Sequence, residues 1–377
     1  MTRKKQSLLG LFLILIVLAL FLFFLLESKD NTPVKFGFIG CLTGRLSDLG
    51  IAGRDGALLA AEKYNEAGGI NGRRIELIIK DDQQDAETAV RGVKELIDED
   101  VVAIIGHMTS TMSLSSLSVI NKARTVMMSP TTSTNDINEI DDFFFRVMQP
   151  NWTETRYLAE YAINHLKVTT MASVYDLSNR AFSEEWLLGF KREFNGMGGK
   201  FTSIEPFDSG TEIKHSKLAA NIIKSNPEAV LLVTGSLDAA MICQQLRKAG
   251  SKIPVISAGW AMTDDFLRHG GSAVEGVVFS QIFDANNRSD RYLEFKNQFF
   301  SRFGRYPDFG SIFSYEAAEV LFKSFAKSPE KELLKQSILK TKTFQGLQGE
   351  IVIDAYGDAR RKRFLIKVED NQFKTVD

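Results

Sequence analysis

"RRIELIIKDDQQDAETAVRGVKELIDEDVVAIIGHMTST", residues 73–111, decides the fold. Its first ten residues, 73–82, are an apolar strand that closes on Asp81 and Asp82. From 85 to 100 the apolar residues recur near a 3.6-residue period, which predicts a helix. Residues 101–106, "VVAIIG", are apolar without alternation, as in a strand covered on both faces. Strand, helix and strand in this order make a parallel pair with a crossover helix. The second strand then empties into hydroxyls, for seven of the ten residues from Thr109 to Ser118 are Ser or Thr.

The same alternation extends both ways. Upstream lie a strand at 34–40 and a helix at 54–69 that stops at a glycine pair. Downstream come a helix at 113–123 and a strand at 125–129. The pattern restarts near 152, with helices at 155–166, 183–199 and 238–250 and strands at 169–176, 229–235 and 254–259. Two more helices follow, at 290–304 and near 311–327. The tail from 349 predicts antiparallel strands turning at Tyr356-Gly357-Asp358. The chain therefore holds two αβ units of similar build, within the reach of 377 residues.

Strand ends in an open parallel sheet are where ligands collect. "GHMTST" lies at one such end and "SPTTST", 129–134, at the next. The first N–H groups of a following helix are unpaired and carry the positive end of its dipole. With the nearby hydroxyls they suit a small anionic or polar ligand. Ser and Thr are also favoured helix caps, so capping stands beside binding as a reading.

Forty-six basic and 47 acidic residues leave a net charge of -1, which gives no nucleic-acid surface. Two distant cysteines and four scattered histidines show no metal-ligand spacing. No G-x-S-x-G, P-loop, G-x-G-x-x-G or H-E-x-x-H is present, so neither a cofactor nor an enzyme is expected. Arg3, Lys4 and Lys5 precede an uncharged apolar run, Leu8 to Leu26. At 1.5 Å per residue that run spans roughly 28 Å, about one bilayer core. It reads as an uncleaved signal anchor with the remainder of the chain outside the cytoplasm, the alternative being a cleaved signal.

These segments, in this order, resemble the type I periplasmic substrate-binding proteins of ABC importers, in the branched-chain amino-acid-binding group. "AGGINGR" (67–73), "AIIGHMTST" (103–111), "MSPTTS" (128–133), "FFFRVMQPN" (143–151), "VYDLSNRAFSE" (174–184), "EGVVFSQIF" (275–283) and "FGRYPDFGSIFSYEAA" (303–318) carry the resemblance. It implies an α/β chain of two Rossmann-like lobes with parallel central sheets, joined by a three-strand hinge in a Venus-flytrap arrangement. A transmembrane helix would precede them. Residues 1–33 would be stub, anchor and linker, 34–150 with 283–358 one lobe, and 151–282 with 359–377 the other. The implied function is a periplasmic or extracellular receptor at the inner membrane. It would capture a small polar or carboxylate-bearing ligand, amino acid-like or an aromatic or organic acid, for an ABC permease and its ATPase. The alternative is a tethered module reporting occupancy to a sensor kinase or chemoreceptor.

The resemblance also implies site residues. A ligand carboxylate would meet Thr109 and Ser110, with Thr131 and Ser133 from the next loop and Phe182 as a cover. Departures accompany these matches. Gly259 and Trp260 stand near the family's ammonium-binding acid, Ser236 at a ligand-contacting tyrosine and Leu49 at an aromatic. Gln84 and Thr109 replace the usual cysteine pair. The departures argue against a plain α-amino acid, and Trp260 offers a face for a flat or apolar ligand.

Overall fold

The computed structural model describes residues 32–376, together with Phe12 and Ile16. The predicted anchor, Leu8 to Leu26, falls outside the described residues except for those two. Among the described residues no helix is long and apolar enough to cross a membrane.

The first half runs β1 (Val34–Gly40), α1 (Ser47–Glu66), β2 (Ile75–Asp81), α2 (Ala86–Asp98), β3 (Ala103–Ile105), α3 (Ser110–Ala123), β4 (Val126–Ser129) and β5 (Phe144–Arg146). Its five strands are all parallel, in the order β2-β1-β3-β4-β5. The second half runs α4 (Asn151–Asn164), β6 (Thr170–Asp176), α5 (Arg180–Gly196), β7 (Lys200–Phe207), α6 (His215–Lys224), β8 (Ala229–Val233), α7 (Ser236–Lys248), β9 (Val255–Ser257), α8 (Asp264–Gly270) and β10 (Val278–Gln281). Its parallel strands lie in the order β7-β6-β8-β9-β10, the same winding as the first sheet. Strand order thus reverses at β1/β3 in one sheet and at β6/β8 in the other. Open α/β sheets bind ligands at such crevices.

The chain returns through α9 (Asp290–Phe303), α10 (Phe309–Lys327) and α11 (Leu334–Thr341). A small antiparallel sheet follows, made of β11 (Thr343–Gly346), β12 (Gly349–Ile353) and β13 (Ala359–Arg360). Finally β14 (Phe364–Glu369) and β15 (Gln372–Thr375) extend the second sheet antiparallel from β10. The turn at 354–358 between β12 and β13 is the one the tail predicted.

Both faces of the first sheet are buried. Phe36 and Phe38 of β1 face one way, and Phe36 meets Phe322 of α10 edge-on with centroids 4.7 Å apart. Ile39 faces the other way, onto Val93 and Leu96 of α2. In the second half Trp186, Phe190 and Phe194 stack along α5 against the sheet. Such two-sided burial is why these strands are apolar throughout.

Helix α10 crosses α1 at close range because position 56 is glycine. A Cβ there would lie 2.0 Å from the Ser311 carbonyl oxygen. The three passages between the halves, expected as strands, are irregular segments at 147–150, 282–289 and 361–363. Buried ion pairs brace them at or beside their ends. Arg146 bonds Asp358 at 2.7 Å, and Arg361 grips Glu316 through both carboxylate oxygens at 2.6 and 3.0 Å. Cys41 and Cys243 are both buried and free.

Candidate functional site

The carboxyl ends of β3, β4, β6 and β9 converge on one small cavity of about 20 Å³. Thr109, Ser110, Thr131 and Ser133 line it from the first half, and Phe182 and Trp260 from the second. Phe182 meets Trp260 edge-on at 5.6 Å, and Leu49, Met108, Met148 and Phe309 complete an apolar rim. Leu49 belongs to α1, which begins at Ser47, seven residues before the predicted start at 54.

The four hydroxyls of the first half are not equivalent. Thr131 donates to the Met108 carbonyl at 2.5 Å, and Thr109 donates to the Gln84 side-chain oxygen at 3.1 Å. Their protons are committed, so toward the cavity they offer lone pairs. The Ser110 hydroxyl accepts from the Ser133 N–H at 3.4 Å and retains its proton. The Ser133 hydroxyl forms no hydrogen bond among the described residues. Of these four hydroxyls, the donors facing the cavity are therefore Ser110 and Ser133, beside the N-terminus of α3 where the helix dipole favours an anion.

A buried network backs this wall. His107 lies between Asp82 at 2.8 Å and Ser116 at 2.9 Å. Asp82 accepts from the Gln84 N–H at 3.0 Å, and Gln84 reaches Thr109. Gln84 and Thr109, which replace a cysteine pair in the resemblance, are hydrogen-bonded. Asp, His and Ser stand in sequence here, but all three are at most 1 % exposed, so the group supports the loop and meets no substrate.

Ser236 stands apart from the other expected site residues. It does not line the cavity, because its hydroxyl bonds Asp48 on α1, and Leu46 and the Trp260 ring crowd the adjoining Gly235. Thr263 donates to the same Asp48 oxygen at 2.9 Å. Burial pushes the Asp48 carboxyl up, while Ser236, the Leu49 N–H and Thr263 pull it back. Next to it Arg45 grips Asp238 at 2.5 and 3.1 Å, and His215 bonds Asp238 at 2.7 Å. Burial raises Asp238, yet the bonds from His215 and Arg45 outweigh it and hold the carboxyl below its usual range.

The seam between the halves has a second part, invisible in the sequence. Neither α3 nor α5 carries a side-chain cap of its own. Asn179, the residue before α5, accepts from the Thr111 N–H at 3.1 Å and its hydroxyl at 3.2 Å. Thr111 of α3 in turn accepts from the Ala181 N–H of α5 at 3.2 Å. Each helix start is capped by the other half. Gln84 adds a bond to the Ser178 carbonyl at 3.2 Å.

Sequence reasoning also missed Glu154, in the first turn of α4. Its carboxylate lines the cavity and accepts from the Gly259 N–H at 2.9 Å. Burial pushes it up, opposed by the charge of Arg363 at 3.7 Å. An acid following "QPNWT" reads as an ordinary first-turn residue, and the sequence holds no further signal. Among the described residues no group of three His, Cys, Asp or Glu is placed to hold a metal.

Two αβ halves of identical winding, with a cavity between their strand ends, define a two-lobed binding fold. A family model described as periplasmic binding protein matches residues 33–372, and the chain belongs to that family, in its type I branch of solute-binding receptors, not enzymes. An amino acid binding protein of Pseudomonas aeruginosa is 24% identical over 354 residues, 93% of each chain. Two solved structures share the fold. The branched-chain amino acid transporter substrate-binding protein of Streptococcus pneumoniae, in complex with isoleucine, has a TM-score of 0.85 at 19% identity, covering 92% of this chain and 99% of its own. A solute-binding protein of an ABC transporter from Rhodopseudomonas palustris, in complex with 3,4-dihydroxybenzoic acid, has a TM-score of 0.83 at 21% identity, covering 92% and 97%.

Proposed function

We propose that this protein is the extracytoplasmic receptor of an ABC importer. It captures a small carboxylate-bearing molecule between its lobes and delivers it to a membrane permease. The observation that carries this reading is the pair of uncommitted hydroxyls, Ser110 and Ser133, beside the N-terminus of α3 inside a cavity walled by both lobes. A carboxylate there meets neutral donors and a favourable dipole at once. Thr109 and Thr131 supply acceptors beside it, and Phe182 and Trp260 cover the ligand's apolar part. That relatives of this fold bind amino acids or aromatic acids supports the size and charge of the ligand.

The moving bodies are 34–146 with 290–360 and 151–281 with 364–376, because β13 pairs with β12 and so carries the first body past the expected break at 358. Ligand touching both favours their closure, which the permease then reads. The Leu8–Leu26 run tethers the receptor to the membrane and keeps it near its permease. Membrane fractionation of the full chain tests the tether: recovery of intact protein in the soluble fraction refutes it. A thermal-shift screen of residues 30–377 against amino acids, aromatic carboxylates, amides and short peptides tests the ligand class. A shift produced by carboxylates, absent with the matching amides, is the expected result. Stabilisation by amides alone refutes the reading.

A further inference from the structure

Among the cavity's lining residues Glu154 alone has an ionisable side chain. It stands on the lobe opposite Ser110 and Ser133, so a ligand held by those hydroxyls presents its other end to it. The carboxylate is 3 % exposed, and its hydrogen bonds leave capacity to spare. One oxygen accepts from the Gly259 N–H at 2.9 Å. The other lies 3.7 Å from Arg363, beyond hydrogen-bonding distance. Arg363 directs its two Nη groups to Thr153 at 3.1 Å, Ser280 at 3.3 Å and Gln149 at 3.5 Å, and its Nε has no hydrogen-bond partner. The Trp186 indole N–H, which meets no other acceptor, lies near enough to help hold the Glu154 carboxyl down without reaching full hydrogen-bonding geometry. Arg363 therefore balances the charge of Glu154 without filling its lone pairs, of which a carboxylate offers about four.

Position 259 shows that the wall is shaped for this side chain. A Cβ on Gly259 would lie 3.3 Å from the Glu154 oxygen, 2.9 Å from the Gln281 amide nitrogen and 3.0 Å from the Ser280 carbonyl oxygen. A side chain at 259 would push into the space through which Glu154 reaches its N–H partner.

We infer that Glu154 is a specificity-determining residue, which selects ligands bearing a hydrogen-bond donor, an ammonium or hydroxyl group, at the end remote from their carboxylate. The inference rests on the proposed capture of a carboxylate by Ser110 and Ser133. The physical basis is asymmetry: a ligand without a donor closes the lobes over a buried acceptor that has lost water and gained nothing. A donor-bearing ligand fills that acceptor with a charge-assisted bond.

The test is calorimetry on two matched pairs, 5-aminopentanoate with pentanoate and 3,4-dihydroxybenzoate with benzoate. With wild-type protein the donor-bearing member of the pair that binds should be tighter by on the order of tenfold or more. In Glu154→Gln that gap should shrink several-fold, mainly through weaker binding of the donor-bearing member. A wild-type gap well under tenfold, or a gap that Glu154→Gln leaves intact, overturns the inference alone. Binding of none of the four overturns the small-carboxylate reading and this inference with it. Because Glu154→Gln deprives buried Arg363 of its counter-charge, the variant's fold is checked by thermal melting. Should it fail to fold, the wild-type comparison decides by itself.

Discussion

Asn179→Ala should weaken ligand binding by speeding release. The Asn179 side-chain oxygen receives two bonds from Thr111, one from the second N–H of α3 and one from its hydroxyl. Losing a helix cap costs about 0.5–2 kcal/mol. A second, neutral hydrogen bond adds about 0.5–1.5 kcal/mol. In an open receptor both donors face water, so the loss falls on the closed state alone. Closure should be destabilised by about 1–3.5 kcal/mol, which lowers apparent affinity about 5–400-fold. Most of that change belongs in the dissociation rate, since the bonds form after encounter. Asn179 also lines the cavity, so a direct ligand contact would weaken binding too. A double-mutant cycle with Thr111→Val separates the two. If the residues cap each other's helices, the changes are non-additive by about 0.5 kcal/mol or more. Stopped-flow dissociation and calorimetry on the four proteins supply the numbers. Additive effects, or a release rate unchanged in Asn179→Ala, would refute the reciprocal cap.

Ser110→Ala should cost about 1–3 kcal/mol of ligand affinity by calorimetry, because it removes a donor whose proton no protein group uses; an unchanged affinity removes Ser110 from the site. Asp308→Asn should stabilise the chain at pH 7 and not at pH 4. Burial raises the Asp308 carboxyl to about 6, with Ser311 and Arg305 pulling it down. The folded chain therefore holds a proton that the unfolded chain releases, and stability falls as pH rises from the ordinary carboxylate range to about 6. Asn keeps the cap on the Ser311 N–H without the charge. Allowing for solvent screening the gain is about 1 kcal/mol; equal urea midpoint shifts at the two pH values would contradict it. Gly56→Ala should destabilise by about 3 kcal/mol or more, since the new methyl meets α10 backbone that cannot swing aside; a melting point within two degrees of wild type would show that the two helices separate freely.

What the sequence discloses and what it hides divide along physical lines. Apolar runs and helical spacing record burial averaged over many neighbours, so β1 to β4, α2 and α10 were legible. The hydroxyl loops were legible as a site because their position at strand ends follows from the parallel sheet. Which hydroxyl keeps its proton was not legible. That depends on single partners, such as the Met108 carbonyl for Thr131 or Asp48 for Ser236, 188 residues away. Glu154 was hidden for the same reason: its significance comes from glycine at 259, and nothing local to 154 announces it. The start of α1 was placed late because residues 47–53, "SDLGIAG", carry two glycines that lower helix propensity. Those glycines serve close packing, and at Gly50 a Cβ would meet the Cys41 carbonyl oxygen at 1.7 Å.

The distribution of polar contacts bears on how the proposed closure can be reversible. Breaking a buried ion pair leaves an uncompensated charge and costs about 3–5 kcal/mol. Such pairs here lie at the passages between the lobes: Arg146 with Asp358, Arg361 with Glu316, and Arg363 facing Glu154. Segments near a rotation axis move least, so these pairs can persist while the lobes separate. The seam far from the passages uses a different chemistry. Most of its bonds join Thr111, Asn179, Gln84 and the Ser178 carbonyl, neutral groups for which water is a ready substitute, and its one carboxylate acceptor, Asp48, is met by the hydroxyls of Ser236 and Thr263. Its ion pair, Arg45 with Asp238, has an arginine side chain 35% exposed, so water reaches it as the cleft opens. Strong pairs near the axis fix the direction of motion, and weak ones at the rim set its cost at a few kcal/mol. A ligand adding one carboxylate and one donor contact can tip a balance of that size, and losing it on the permease would let the lobes part again.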